Sequence, residues 1–182
     1  MLKTVLLSLA GAVALSILIE IGVAATKPDT FHIERRAVVA APPGAVFAQL
    51  DDLRRWSGWS PWERLDLTME RTYDGPPRGV GATYAWRGNG DVGAGRMEIV
   101  ESRPSEKLRV RLEFLEPFEA TNMATFTLAP RGDGTEVVWA MDGDNSFIGK
   151  VVSVFMDMDA LIGQDFERGL ESLREVSVTS GT

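Results

Sequence analysis

The 182-residue chain is 45% hydrophobic and 25% charged, a globular balance that leaves room for one membrane-length apolar stretch and one ordinary domain, and that argues against long disorder. It has no cysteine and a single histidine, His32, so disulfides, thiolate metal sites, cysteine nucleophiles and imidazole clusters are excluded, and no metal or cofactor is expected. Nineteen basic against 26 acidic side chains leave a net charge of −7, which repels phosphate backbones and makes nucleic acid an unexpected partner.

Residues 5–25 read VLLSLAGAVALSILIEIGVAA, with Glu20 as the one charge, enough helix to cross ~30 Å of hydrocarbon. The run predicts a single-pass transmembrane helix that makes the membrane a partner through residues 5–25. A cleavable signal peptide is the main alternative, since Lys3 supplies a basic start and Val23-Ala24-Ala25 a small-residue cleavage site. The length of the run and the position of Glu20 favour retention, and the lack of a polar stripe disfavours a buried core helix. Charge asymmetry sets Lys3 against Lys27, Arg35 and Arg36. With the arginines assigned to a strand, the folded part is expected outside the cytoplasm. The expected organisation is an anchor (or signal peptide) and linker over 1–28, and one domain over 29–182 carrying −8.

Within that domain, Phe31 to Ala40 reads as a strand stopped by Pro42-Pro43. Gly44 to Leu50 places Val46, Phe47 and Leu50 on one helical face, and Asp51 to Trp56 reads as a second short helical turn. Trp56, Trp59 and Trp62 then put three indoles into seven residues. From Leu65 the period becomes two, with strands expected at 66–73, 81–87, 94–102, 107–115, 121–130 and 134–142, separated by Gly-, Pro- and Asp-rich turns. Leu108, Val110, Leu112 and Phe114 alternate with Arg109, Arg111 and Glu113, so one face of this antiparallel meander is dry. Apolar residues spaced by three and four over 147–175, preceded by Asp144-Asn145-Ser146 as cap formers, predict one long amphipathic helix that covers the sheet.

The entry Val38-Val39-Ala40-Ala41-Pro42-Pro43-Gly44-Ala45-Val46-Phe47, the turn Trp59-Ser60-Pro61-Trp62, and the terminal Gly163-Gln164-Asp165-Phe166-Glu167-Arg168-Gly169-Leu170-Glu171-Ser172-Leu173 together resemble the START-like (SRPBCC) superfamily, in its bacterial membrane-anchored, polyketide cyclase/dehydrase-like branch. The resemblance runs over residues 31–175. It implies an α+β architecture, the helix-grip (START-like) fold: a curved antiparallel β-sheet wrapped around a long C-terminal helix, preceded here by an N-terminal transmembrane helix. It also implies a cavity between sheet and helix that takes a hydrophobic or amphipathic small molecule, such as a lipid or isoprenoid.

Strand parity then nominates the lining. Tyr84 and Trp86, Met97 and Ile99, Val110, Leu112 and Phe114, Phe126, Trp139 and Met141 face inward from the sheet. Phe155, Met158, Ile162 and Phe166 oppose them, while Arg96 and Glu98 point outward. Trp59 and Trp62 have three readings: core packing, an aromatic gate at the cavity, or an interfacial anchor.

The motifs for chemistry are weak. Gly88-Asn89-Gly90-Asp91-Val92-Gly93 matches a dinucleotide fingerprint in letters, but strand-like sequence follows it, so it reads as a glycine-rich hairpin and a mobile rim of the cavity mouth. Asp159 and Asp165 flank the apolar stripe of the last helix, where burial would raise a carboxyl pKa and supply an acid or a polar anchor. Asp142 and Asp144 beside Gly143 read as a turn. A serine triad would have to recruit His32, at the start of the first strand. No catalytic residue is assigned. The expected function is non-covalent ligand binding; alternatives are a polyketide cyclase/dehydrase-type enzyme, which needs two convergent polar groups with one perturbed pKa, and a protein-docking module with a filled core.

Overall fold

A computed structural model describes residues 20–179, so most of the predicted span Val5–Ala25 lies outside the described residues. Among those described, residues 20–25 are helical, and no helix is long and apolar enough to cross a membrane. The described residues form two units: 20–31 with 144–158, and 32–143 with 159–179.

The smaller unit joins the linker to a short helix, α2 (Phe147–Phe155). The Asn145 backbone N–H donates to the Asp29 carbonyl at 2.7 Å, and its side-chain amide donates to the Pro28 carbonyl at 3.2 Å. The buried Lys150 ammonium pairs with the Asp29 carboxylate and holds it below its usual pKa. Ser146 caps α2 by accepting from the Gly149 N–H at 3.2 Å. The sequence spacing does not carry through as one helix over 147–175: Met156 is extended (φ −129°, ψ 131°), and a second helix begins at Met158. Val151, Val152 and Val154 are poor helix formers, and Asp157 stands at a helix start where its side-chain type is favoured, so local propensity ends one helix and begins the next.

In the larger unit, proline opens α1 (Pro43–Leu50), and two 3₁₀ turns follow, Leu53–Gly58 and Pro61–Arg64. The strands are β1 (Thr30–Val39, entering from the smaller unit), β2 (Glu70–Asp74), β3 (Thr83–Arg87), β4 (Ala94–Arg103), β5 (Lys107–Glu116), β6 (Ala120–Arg131) and β7 (Gly134–Asp144), and α3 spans Met158–Thr179. They form one curved, seven-stranded antiparallel sheet in the order β1-β7-β6-β5-β4-β3-β2, with the first strand beside the last. Register shifts at Ala94/Gly95 and Ile99/Glu101 in β4 are bulges of the kind that bend a strand.

Two sequence expectations change here. Residues 66–69 do not join β2, because the Asp66 carboxylate accepts from the Thr68 N–H (2.9 Å) and hydroxyl (2.7 Å) and so closes a turn. Asp142-Gly143-Asp144 is not a turn but the end of β7, and Asp142 lies 2.7 Å from the ring of His32.

The core is aromatic. Trp139 stacks on Phe166 (4.2 Å between ring centres) and lies 4.9 Å from Phe126, while Trp59 meets Trp139 edge-on at 5.6 Å. Gly169 permits the close approach of α3, since a Cβ there would sit 2.6 Å from a Trp139 ring carbon. Arg35 of β1 lies across Gly163, the bare spot of α3, and bonds Asp159 and Glu167 at 3.0 Å each. The Asp159 carboxyl is therefore held below its usual pKa, the opposite of the shift its place beside the apolar stripe predicts.

Candidate functional site: an apolar cavity with an acidic rim

The inward faces of β3 to β7 and one face of α3 enclose a cavity of about 260 Å³. Tyr84 and Trp86 come from β3, Met97 from β4, Val110, Leu112 and Phe114 from β5, Ala124 from β6, and Trp139 and Met141 from β7, each alternating with an outward residue as the pleat requires. Ile162, Asp165 and Phe166 enter from α3, one helical turn apart; Trp56, Trp62 and Glu63 come from the 3₁₀ turns and Ser60 from the link between them.

The polar end is built on Glu63, which is 7% exposed. Tyr84 donates its hydroxyl hydrogen to Glu63 Oε1 at 2.6 Å, and Arg71 donates from Nε to Oε2 at 2.8 Å. Arg71 is held further by the Met69 carbonyl (2.7 Å) and the Glu63 carbonyl (3.3 Å). Burial foremost, then the bond to Glu63, pushes the Tyr84 phenol far above its ordinary pKa; the Glu63 carboxylate raises that of Arg71. Tyr73 stacks on Tyr84 at 4.9 Å and is itself shifted upward by burial.

The glycine-rich hairpin forms part of the rim through Asp91 and Val92. It is fastened: the Asn89 N–H donates to Asp66 Oδ2 (2.8 Å), the Gly88 N–H to the Gly93 carbonyl (2.9 Å), and Trp86 Nε1 to the Val92 carbonyl (3.1 Å). Gly93 adopts φ +61°, which explains a glycine there without any phosphate to cradle.

Of the nominated residues, Trp62, Tyr84, Trp86, Met97, Val110, Leu112, Phe114, Trp139, Met141, Ile162 and Phe166 are brought together around the cavity. Trp59, Ile99 and Phe126 are buried in the core beside it and do not line it. Trp59 donates to the Gln49 carbonyl at 3.2 Å, which is packing and not gating. Phe155 is 65% exposed on α2, across the break at Met156 from α3, and neither Phe155 nor Met158 lines the cavity. Arg96 and Glu98 lie on the outer face, as parity requires, in a small polar depression with Arg111 and Glu113.

Sequence reasoning missed Trp56, Ser60, Glu63, Met69 and Ala124 in the lining, and Arg71 behind it, while Asp91 and Val92 belong to the hairpin it placed at the rim. The available signal for Glu63 was a carboxylate placed directly after Trp62 inside an aromatic cluster, where a solvated acid is out of place.

Residues 30–178 match the family model described as polyketide cyclase / dehydrase and lipid transport. The chain belongs to that family. Solved structures of the same fold include a protein from Chromobacterium violaceum (17% identity, 83% of this chain and 98% of that one, TM-score 0.57) and one from Mesorhizobium loti (16%, 84% and 99%, TM-score 0.58). The Aha1 dimer from Colwellia psychrerythraea is also similar (15%, 83% and 96%, TM-score 0.52). No curated protein matches the chain. These identities establish the helix-grip fold alone.

Proposed function

We propose that this domain binds a hydrophobic or amphipathic small molecule without covalent chemistry, in the cavity between sheet and α3, while an N-terminal segment tethers it to a membrane on the extracytoplasmic side. The observation that carries the reading is the apolar cavity itself, left open in an otherwise aromatic-packed core. Its volume, about 260 Å³, lies just under the ~300–1,000 Å³ typical of small-molecule sites, so one acyl chain or a small ring system fits better than a two-chain lipid. Tethering is supported by the apolar run 5–25 and by the smaller unit, whose exposed side chains include Ile21, Val23, Phe147, Ile148 and Phe155.

The test is isolation of the full chain from native membranes in mild detergent, transfer to amphipol, and mass spectrometry of what remains bound. A stoichiometric small molecule, lost when Ala124→Phe fills the cavity, supports binding. A bare protein, before and after incubation with membrane extract, refutes it.

A second reading, a cyclase/dehydrase-type enzyme, is favoured by one observation: Glu63 and Tyr84 converge at the cavity and Tyr84 is strongly perturbed. The direction of the shift weakens it. A phenol pushed upward is a poorer acid at neutral pH, and Glu63 is already engaged by Arg71. Turnover of a bound polyketide that Glu63→Gln abolishes while binding persists would establish the enzyme.

A further inference from the structure

The polar lining of the cavity allows a step beyond ligand binding, resting on that reading: it indicates what the polar end of the ligand must be. Glu63, Asp91 and Asp165 line the cavity, together with Ser60 and Tyr84, and among the described residues no lysine, arginine or histidine lines it. The Arg71 guanidinium, behind the lining, is spent on the Glu63 carboxylate and on two carbonyls. Asp165 pairs with the exposed Arg168 outside the lining.

The donors around the cavity are largely consumed as well. Tyr84 gives its hydrogen to Glu63, leaving the phenol oxygen as an acceptor. The Trp56 and Trp86 indoles donate to the carbonyls of Leu50 and Val92. Trp139 Nε1 has no partner but also no accessible surface from which to reach a ligand. The Ser60 hydroxyl, on a residue 6% exposed, and the Trp62 indole also line the cavity, and both are neutral.

A carboxylate or phosphate entering this site would be stripped of water among carboxylates, with no cation to meet it, and an unpaired charge is the costliest group to bury. A hydroxyl or ammonium would instead find acceptor oxygens at Tyr84, Ser60 and the rim carboxylates. We infer that the cavity selects a single-chain or small-ring amphiphile whose polar end donates hydrogen bonds, a hydroxyl or an ammonium, and discriminates against the anion built on the same apolar body.

The test uses the full chain in membranes and three diazirine photoprobes that share one twelve-carbon chain and end in an alcohol, an amine or a carboxylic acid. After irradiation at pH 7.5 and equal concentration, labelled peptides are mapped by mass spectrometry. The expected result is labelling of the peptides holding Met97, Trp139 and Met141 by alcohol and amine at least tenfold above the acid, with Asp91→Asn and Asp165→Asn each raising the acid's labelling. Acid labelling equal to or above the alcohol's overturns the selectivity and leaves ligand binding standing. Failure of all three probes to label those peptides, while peptides of residues 5–25 are labelled, overturns the binding reading and the selectivity with it.

Discussion

Tyr84→Phe removes one oxygen from the buried end of the cavity and leaves the ring packing in place, so it isolates the bond to Glu63. That bond is 2.6 Å long, and its acceptor is a carboxylate on a residue 7% exposed. Hydrogen bonds to charged groups contribute ~1.5–3 kcal/mol. Glu63 keeps Arg71 at 2.8 Å, and the Arg71 side chain is 25% exposed, so water helps to offset the loss and the lower end, about 1.5–2 kcal/mol, is expected. For a domain of this size that corresponds to a Tm lower by roughly 3–8 °C. The pH profile gives an independent readout. The folded state holds the Tyr84 proton beyond the ~10 at which an unfolded tyrosine releases it, so the folded state binds more protons there. The contribution is complete below about pH 10, and stability then falls by ~1.4 kcal/mol per pH unit as pH rises further. Urea unfolding between pH 7 and 11 should show this alkaline loss in the native chain and a shallower one in Tyr84→Phe. A Tm change below about 1 °C, or an identical alkaline limb, would refute the coupling of Tyr84 to Glu63.

Other expectations follow from single contacts. His32, 2.7 Å from Asp142, should titrate above 6.5 by NMR and return toward that value in Asp142→Asn; its contribution to stability is present below ~6.5 and lost as pH rises through the raised folded value. Phe166→Ala, which unstacks Trp139 and enlarges the cavity, should cost ~3–5 kcal/mol in denaturant unfolding. Gly169→Val should also destabilise, because its side chain would meet the Trp139 ring and Pro61, and a variant as stable as the native chain would contradict the close approach of α3. Asp66→Ala should speed amide exchange over residues 88–92, where Asn89 loses its partner. Its carboxyl sits below its ordinary value through the bonds from Thr68 and Asn89, so that fastening is present above pH ~3.9 and lost as pH falls through the folded value.

The strands were legible because a sheet with one dry face writes its period into the chain. Leu108, Val110, Leu112 and Phe114 predicted their side of β5 without a neighbour, and the same parity correctly sent Arg96 and Glu98 outward. The helix break at Met156 was not legible, since apolar steps of three and four continue across it; periodicity records which face is apolar, not whether the backbone stays helical. Phe155 was therefore placed on a stripe it does not share. Parity has a second limit: it separates inside from outside but not cavity from solid core, so Ile99 and Phe126 satisfied it while being packed away.

The polar end of the cavity was hidden for a different reason. Glu63 is on a 3₁₀ turn, Arg71 on β2 and Tyr84 on β3, so no spacing along the chain brings them together. What joins them is tertiary: the Trp59-Ser60-Pro61-Trp62 turn is fixed by indoles packed against Phe126 and Trp139, and this carries the next residue, Glu63, to the Tyr84 hydroxyl of β3. A carboxylate carried into such a site needs partners, and Tyr84 and Arg71 supply them. The same arrangement leaves acceptors and, among the described residues, no cation in the lining, so the aromatic turn that builds the core also underlies the proposed ligand selectivity.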